Sequence, residues 1–186
     1  MKIMIINGPN LNMLGIREKE IYGNQSLKDL ENQLLKTNPE IHLEFFQSNH
    51  EGQLIDWIQE AYLKKVDGIV FNPAGYTHTS IALGDAIKAI HPIPVIEVHL
   101  SKIEDREDFR RVSYIKHYCL DQIQGKGFHG YQLAIEKLVS KWNWDFNGST
   151  NGKIWHGLRY VINQKDSRFL GWNGYSFKLE KGNVPL

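Results

Sequence analysis

Five short apolar runs, with stretches of helical periodicity between and after them, leave this 186-residue chain few folds to adopt. Residues 2–7 (KIMIIN), 41–47 (IHLEFFQ), 68–72 (GIVFN) and 94–98 (PVIEV) read as buried strands, and a fifth strand is expected near 117–123. Helices are expected from Ser26 to about Asn38, over 51–65, from about Ser80 to Ile90, and near 128–141. Ser26 with Asp29 three residues on makes a capping box, and Pro39 stands just past the end of that helix.

Regular alternation of strand and helix predicts a parallel sheet with helices on both faces, because parallel strands need crossover connections. Right-handed crossovers prune the topologies. Five strands favour the flavodoxin-like order 2-1-3-4-5 over a classical dinucleotide fold, which needs six. After about Ser140 the composition changes. Residues 142–186 hold four of the five tryptophans and many Asn and Gly, and short aromatic runs alternate with turn-like NGSTNG, NQKDS and NG pieces. The expected division is therefore an α/β domain over 1–141 and an aromatic extension over 142–186, rich in β-hairpins.

Charge and composition exclude several partner classes. With 22 basic and 21 acidic residues the chain has no broad footprint for nucleic acid or an anionic membrane. One cysteine, Cys119, rules out an intrachain disulfide and a cysteine metal cluster. No apolar run approaches the ~20 residues that span a bilayer, and Ile3–Ile6 is too short for a signal-peptide core. The cytoplasm is the expected compartment.

In open α/β sheets ligands bind beyond the carboxyl ends of the strands, where strand order reverses. Three polar segments leave strands 1, 3 and 4 there: residues 7–23 (NGPNLNMLGIREKEIYG), 72–80 (NPAGYTHTS) and 97–110 (EVHLSKIEDREDFR). The first offers Asn10, Asn12, Arg17 and Tyr22. A phenol with a pKa near ~10 is a poor base at neutral pH, and a nearby guanidinium lowers that value. The second offers Asn72 and His78, with Thr77, Thr79 and Ser80 at a helix start. The third offers Glu97 and His99, two apart and so on one side of a strand, where a carboxylate can orient an imidazole. Arg106 and Arg110, four apart, suit a substrate carboxylate if that stretch is helical. Each has an ordinary reading too. Tyr22 is equally a packing residue, His78 a helix cap, and the arginines a solvated face pairing with Glu104, Asp105, Glu107 and Asp108.

The first loop lacks the glycine and hydroxyl run of a phosphate cradle, and strand 1 ends in Asn7 rather than the aspartates of a magnesium-dependent phosphoreceiver. His78 and His99 show no ligand spacing for a metal.

GPNLNMLGIREKEIYG at 8–23, QSNHEGQLIDWI at 47–58, NPAGYTHTS at 72–80, EVHLS at 97–101 and REDFR at 106–110 closely resemble the type II 3-dehydroquinate dehydratases, over roughly residues 1–140. The resemblance implies a metal-free, cofactor-free hydro-lyase of the shikimate pathway, built as trimers that assemble into a dodecamer. It implies Tyr22 as the base at C2 of 3-dehydroquinate, Arg17 as the group holding it as phenolate, and Asn12 with a water as the enolate's support. It implies His99 as the acid at the departing C1 hydroxyl, with Glu97 as its partner. Asn10, Asn72, His78, the backbone around Leu100 and Ser101, and Arg106 and Arg110 are expected to bind substrate. Asp85 is expected to reach a neighbouring subunit's site. The runner-up reading is a non-catalytic small-acid-binding protein whose aromatic extension is an interaction module; a dehydratase of a related cyclic acid is a third.

Overall fold

A computed structural model describes residues 1–16, 25–147, 161–163, 168–170 and 176–178, with side chains described through Trp142. The chain divides into two compact units, Met1–Lys141 and Trp142–Leu186. In the first, β1 (Lys2–Asn7), β2 (His42–Gln47), β3 (Gly68–Asn72), β4 (Val95–His99) and β5 (Asp121–Gln124) form one parallel sheet in the order β2-β1-β3-β4-β5. This is the expected flavodoxin-like order, with its switch point between β1 and β3.

Among the described residues four helices cover the sheet: α1 (Leu27–Thr37), α2 (Glu51–Leu63), α3 (Ile81–Ala89) and α4 (His129–Asn147). Strand alternation sorts the core into two layers. Met4, Ile6, Ile69 and Phe71 pack with Leu54 and Ile58 of α2 and Leu83 and Ile87 of α3. Ile3, Ile5, Val70 and Ile96 pack on the other face with Leu30 and Leu34 of α1 and Tyr131, Ile135 and Leu138 of α4. Because both faces are covered, β1 and β3 read as nearly continuous apolar runs, and β4 buries Glu97 and His99 among its apolar residues.

Helix starts follow their caps. Ser26 and Asp29 make the reciprocal capping box of α1. Ser80 Oγ accepts from Leu83 N and starts α3. Two boundaries differ from expectation. Lys116–Tyr118 is a 3-10 turn, whose Lys116 N–H goes to Ser113 Oγ, so pairing with β4 begins only at Leu120 and β5 is shorter than 117–123. The last helix is described to Asn147, past the expected end at 141, and the residues from 142 to 147 contain no glycine or proline to interrupt it.

In the second unit β6 (Val161–Asn163), β7 (Arg168–Leu170) and β8 (Ser176–Lys178) pair antiparallel, Ile162 opposite Phe169 and Phe169 opposite Phe177. Among the described residues no helix is long and apolar enough to cross a membrane.

Candidate active site

The carboxyl ends of β1, β3 and β4 carry Asn7, Asn72 and His99, all buried. Asn7 and Asn72 stand opposite each other in the β1–β3 register. The Tyr131 hydroxyl rises beneath them from α4, donates to Asn7 Oδ1 at 2.6 Å and accepts from Asn72 Nδ2 at 2.9 Å. Asn72 Oδ1 in turn accepts from Ala74 N at 3.1 Å. Burial pushes the Tyr131 phenol well above its ordinary range, so it stays a neutral bridge. Gly8 lets the chain turn over this floor: a Cβ there would lie 2.5 Å from the carbonyl oxygen of Pro73.

Above the floor is a crevice of about 260 Å³. Its walls include Asn10, Asn72, His78, His99, Leu100, Ser101, Arg106 and Arg110, with Leu11, Leu14 and Ile103 supplying apolar surface. Eight expected site residues are thus brought together from three loops that are distant in the chain. Asn12 is exposed and sits 3.4 Å from Gln47 Nε2 outside that wall. Asp85 is exposed on α3 and does not line the crevice of its own chain. Arg17 and Tyr22 lie outside the described residues.

Glu97 and His99 do project to one side of β4, with 2.6 Å between Glu97 Oε1 and His99 Nε2. That contact occupies Nε2 and leaves Nδ1 as the ring nitrogen for the crevice. Glu97 is fully buried and its carboxylate is surrounded by donors. Thr77 Oγ1 donates to Oε1, Ser113 Oγ lies 3.0 Å from both oxygens, and Gln122 Nε2 donates to Oε2 at 2.9 Å. Burial pushes the Glu97 carboxyl up; the hydrogen bond and charge of His99, with the two hydroxyls, outweigh it and hold the group below its ordinary value.

His78 does not cap a helix; its Nδ1 lies 2.7 Å from the carbonyl oxygen of Val112. Burial lowers its proton affinity against that hydrogen bond, and the charges of His99 and Arg110 lower it further. The arginines combine both readings. Arg106–Arg110 is not an α-helix, only a 3-10 turn over Asp108–Arg110, yet both side chains reach the crevice. Glu107 Oε2 lies 3.5 Å from Arg106 Nε and 3.4 Å from Arg110 Nε, and Arg111 pairs with Asp108 at 2.8 Å. The Glu107 contact balances the charge of Arg110 without satisfying its N–H: Arg110 Nε is buried and has no hydrogen-bond acceptor among the described residues.

Sequence reasoning missed Asn7, Tyr131, Ser113 and Gln122. A polar residue closing an apolar strand was the available sign for Asn7. Gln122 stands directly opposite Glu97 in the β4–β5 register, which only the pairing reveals. Among the described residues no group of three His, Cys, Asp or Glu could hold a metal.

The fold and crevice define a doubly wound α/β protein with a buried Glu97–His99 pair, Arg106 and Arg110 near the switch point of its sheet. Residues 1–139 match the family described as dehydroquinase class II, and the chain belongs to that family. A 3-dehydroquinate dehydratase of Fusobacterium nucleatum is 55% identical over 77% of this chain and 99% of its own. One of Caldicellulosiruptor bescii is 52% identical over 74% and 95%. The crystal structure of a type II dehydroquinase from Butyrivibrio crossotus superposes with a TM-score of 0.73 at 50% identity, covering 75% of this chain and 97% of that one.

Proposed function

We propose that this chain is a hydro-lyase converting 3-dehydroquinate to 3-dehydroshikimate, a step of aromatic amino acid biosynthesis. The observation that carries the reading is His99, held from behind by the buried Glu97, on the wall of a crevice that Arg106 and Arg110 also line. An acid held by a carboxylate, with two arginines beside it, fits a hydroxylated ring acid.

Elimination alpha to a ketone needs a base, a stabiliser for the enolate and an acid for the leaving group. Tyr22, held as phenolate by Arg17, takes the proton from C2. The electron pair moves onto the C3 carbonyl oxygen, where Asn12 and a water support the charge. The enolate then collapses, C1=C2 forms, and the C1 hydroxyl leaves as water with a proton from His99 Nδ1. Glu97 keeps hold of Nε2 throughout. The proton gained by Tyr22 replaces the one His99 lost, so turnover consumes no net proton, and the sequence asks for no metal or organic cofactor. Asn10, Asn72, His78, Leu100 and Ser101 hold the ring hydroxyls, and Arg106 and Arg110 its carboxylate.

Residues 1–141 carry this chemistry in the cytoplasm. The active form is a trimer that builds a dodecamer. Exposed Ile81, Tyr114 and Tyr118 around α3 support a packed neighbour, and the exposure of Asp85 on that helix supports its reaching the neighbour's substrate.

The product is a conjugated enone and the substrate is not, so ultraviolet absorbance follows the reaction directly. The purified chain should generate that absorbance from 3-dehydroquinate, and Tyr22→Phe should slow it by roughly 10²–10⁴-fold with little change in substrate affinity. No absorbance change with the intact chain would overturn the activity, and near-normal turnover in Tyr22→Phe would overturn the role of the phenol.

A further inference from the structure

Every contact made by the Glu97 carboxylate comes from a group able to donate. Thr77, Ser113 and His99 reach Oε1; Ser113 and Gln122 reach Oε2. Protonating Glu97 would turn one oxygen into a donor and disturb this set: a proton on Oε1 would oblige Thr77, Ser113 or His99 to accept instead of donate, and one on Oε2 would oppose the Gln122 amide. Ser113 Oγ already accepts the Lys116 N–H at 3.0 Å, and Gln122 presents its amide nitrogen. A fully buried carboxyl with this donor set is built to stay ionised.

The three donors besides His99 come from three separate elements. Thr77 is in the 3-10 turn after β3, Ser113 in the segment ahead of β5, and Gln122 within β5, paired across from Glu97. We infer that Thr77, Ser113 and Gln122 are positioning residues that fix Glu97 as an anion and thereby hold His99 with Nε2 bonded and Nδ1 turned to the crevice. None of the three lines the crevice, so their effect on chemistry passes through Glu97.

Without the cage, burial would favour a neutral carboxylic acid. The Glu97–His99 contact would then hold a shared proton in place of an anion beside an acid. The other titratable groups acting on this cluster are His78, after β3, and Cys119, ahead of β5; Arg110 acts on His78. None of these supplies a second carboxylate, so Glu97 is the anion on which the cage acts.

This inference rests on the dehydratase reading for its kinetic half only. Its other half is tested on the full chain labelled with carbon-13 at glutamate carboxyls, the Glu97 signal being assigned through Glu97→Gln. Thr77→Val and Gln122→Met each remove one donor at nearly constant volume, and Thr77→Ser restores a hydroxyl. In both donor-deleted variants the Glu97 titration midpoint should rise by about one pH unit or more. kcat should fall roughly 10- to 100-fold with KM nearly unchanged, and Thr77→Ser should recover most of both. A Glu97 midpoint at the wild-type value in folded Thr77→Val and Gln122→Met overturns the cage. A raised midpoint with unchanged kcat overturns its link to the acid. If the wild-type chain forms no enone, the dehydratase reading falls while the carbon-13 titration still decides whether the donors keep Glu97 charged.

Discussion

Asn7 and Tyr131 stand 124 residues apart in the chain and are joined by a 2.6 Å hydrogen bond under the floor of the crevice. The same hydroxyl accepts from Asn72, so one buried phenol ties the ends of β1 and β3 to α4. The sheet parts its crossovers at this switch point, and an anchor there fixes the width of the opening on which the site is built.

Removing that hydroxyl takes away the partner that Asn7 Oδ1 and Asn72 Nδ2 share. Tyr131→Phe should cost about 1–3 kcal/mol, and at roughly 2–4 °C per kcal/mol for a chain of this size the melting temperature should fall by several degrees. Differential scanning calorimetry of the two proteins checks it. An unchanged melting temperature would mean that the three groups are bonded otherwise.

Gly8 faces a backbone that cannot step aside. Its N–H donates to Asn72 O at 2.7 Å, and an added Cβ would meet Pro73 O at 2.5 Å. Gly8→Ala should therefore destabilise by about 1–3 kcal/mol, read as a lower urea midpoint at constant slope. Equal midpoints would show that the turn relaxes freely.

Arg110 lines the crevice, has a buried Nε without an acceptor among the described residues, and stacks its guanidinium 5.3 Å from the Phe109 ring centroid. Arg110→Lys keeps the charge and loses the planar fork. KM for the ring acid should rise roughly tenfold or more with a smaller change in kcat. Steady-state kinetics decides between this and a purely structural arginine, for which KM would not move.

Of the groups whose proton affinity folding lowers, His78 and Glu97 are the most buried and bear on the acid side of stability. The folded-state proton affinity of His78 is lowered from an ordinary value of 6.5, and that of Glu97 from 4.5. In each case the unfolded chain binds the proton first as pH falls, so stability is present above those values and drains away below them. Unfolding free energy should decline in two stages: gently from about pH 6.5 downward, then more steeply below about pH 4.5. His78→Gln should remove the first stage and Glu97→Gln should make the second shallower, with Glu44 and Asp29 supplying what remains of it. A flat profile between pH 7 and 5 that His78→Gln leaves unaltered would contradict the first.

Much of this architecture was legible because each strand obeys a simple rule. Ile3 to Ile6 are all apolar since both faces of β1 are covered, and Ser26, Asp29 and Ser80 announce helix starts through their own side-chain bonds. Glu97 and His99 were visible as a pair because strand geometry puts i and i+2 on one side. Gln122 and Ser113 were not, because their partner lies across a sheet or after an irregular turn, and local periodicity carries no register. The start of β5 was misplaced for a related reason. Ser113 captures the Lys116 N–H and winds 116–118 into a turn that its own composition does not demand. Arg106 and Arg110 arrived in the crevice by a route other than the helical face expected of them.

The alignment of β4 with β5 has a consequence for folding. Gln122 meets Glu97 only in the native pairing, Glu97 against Gln122 and Val98 against Ile123. Sliding the outermost strand by a single residue would send Gln122 to the opposite side of the sheet, with little change in overall helix or strand content. Refolded protein that looks native by circular dichroism but carries such a slip would be chemically silent, so turnover serves as a sensor of whether the last strand docked in step.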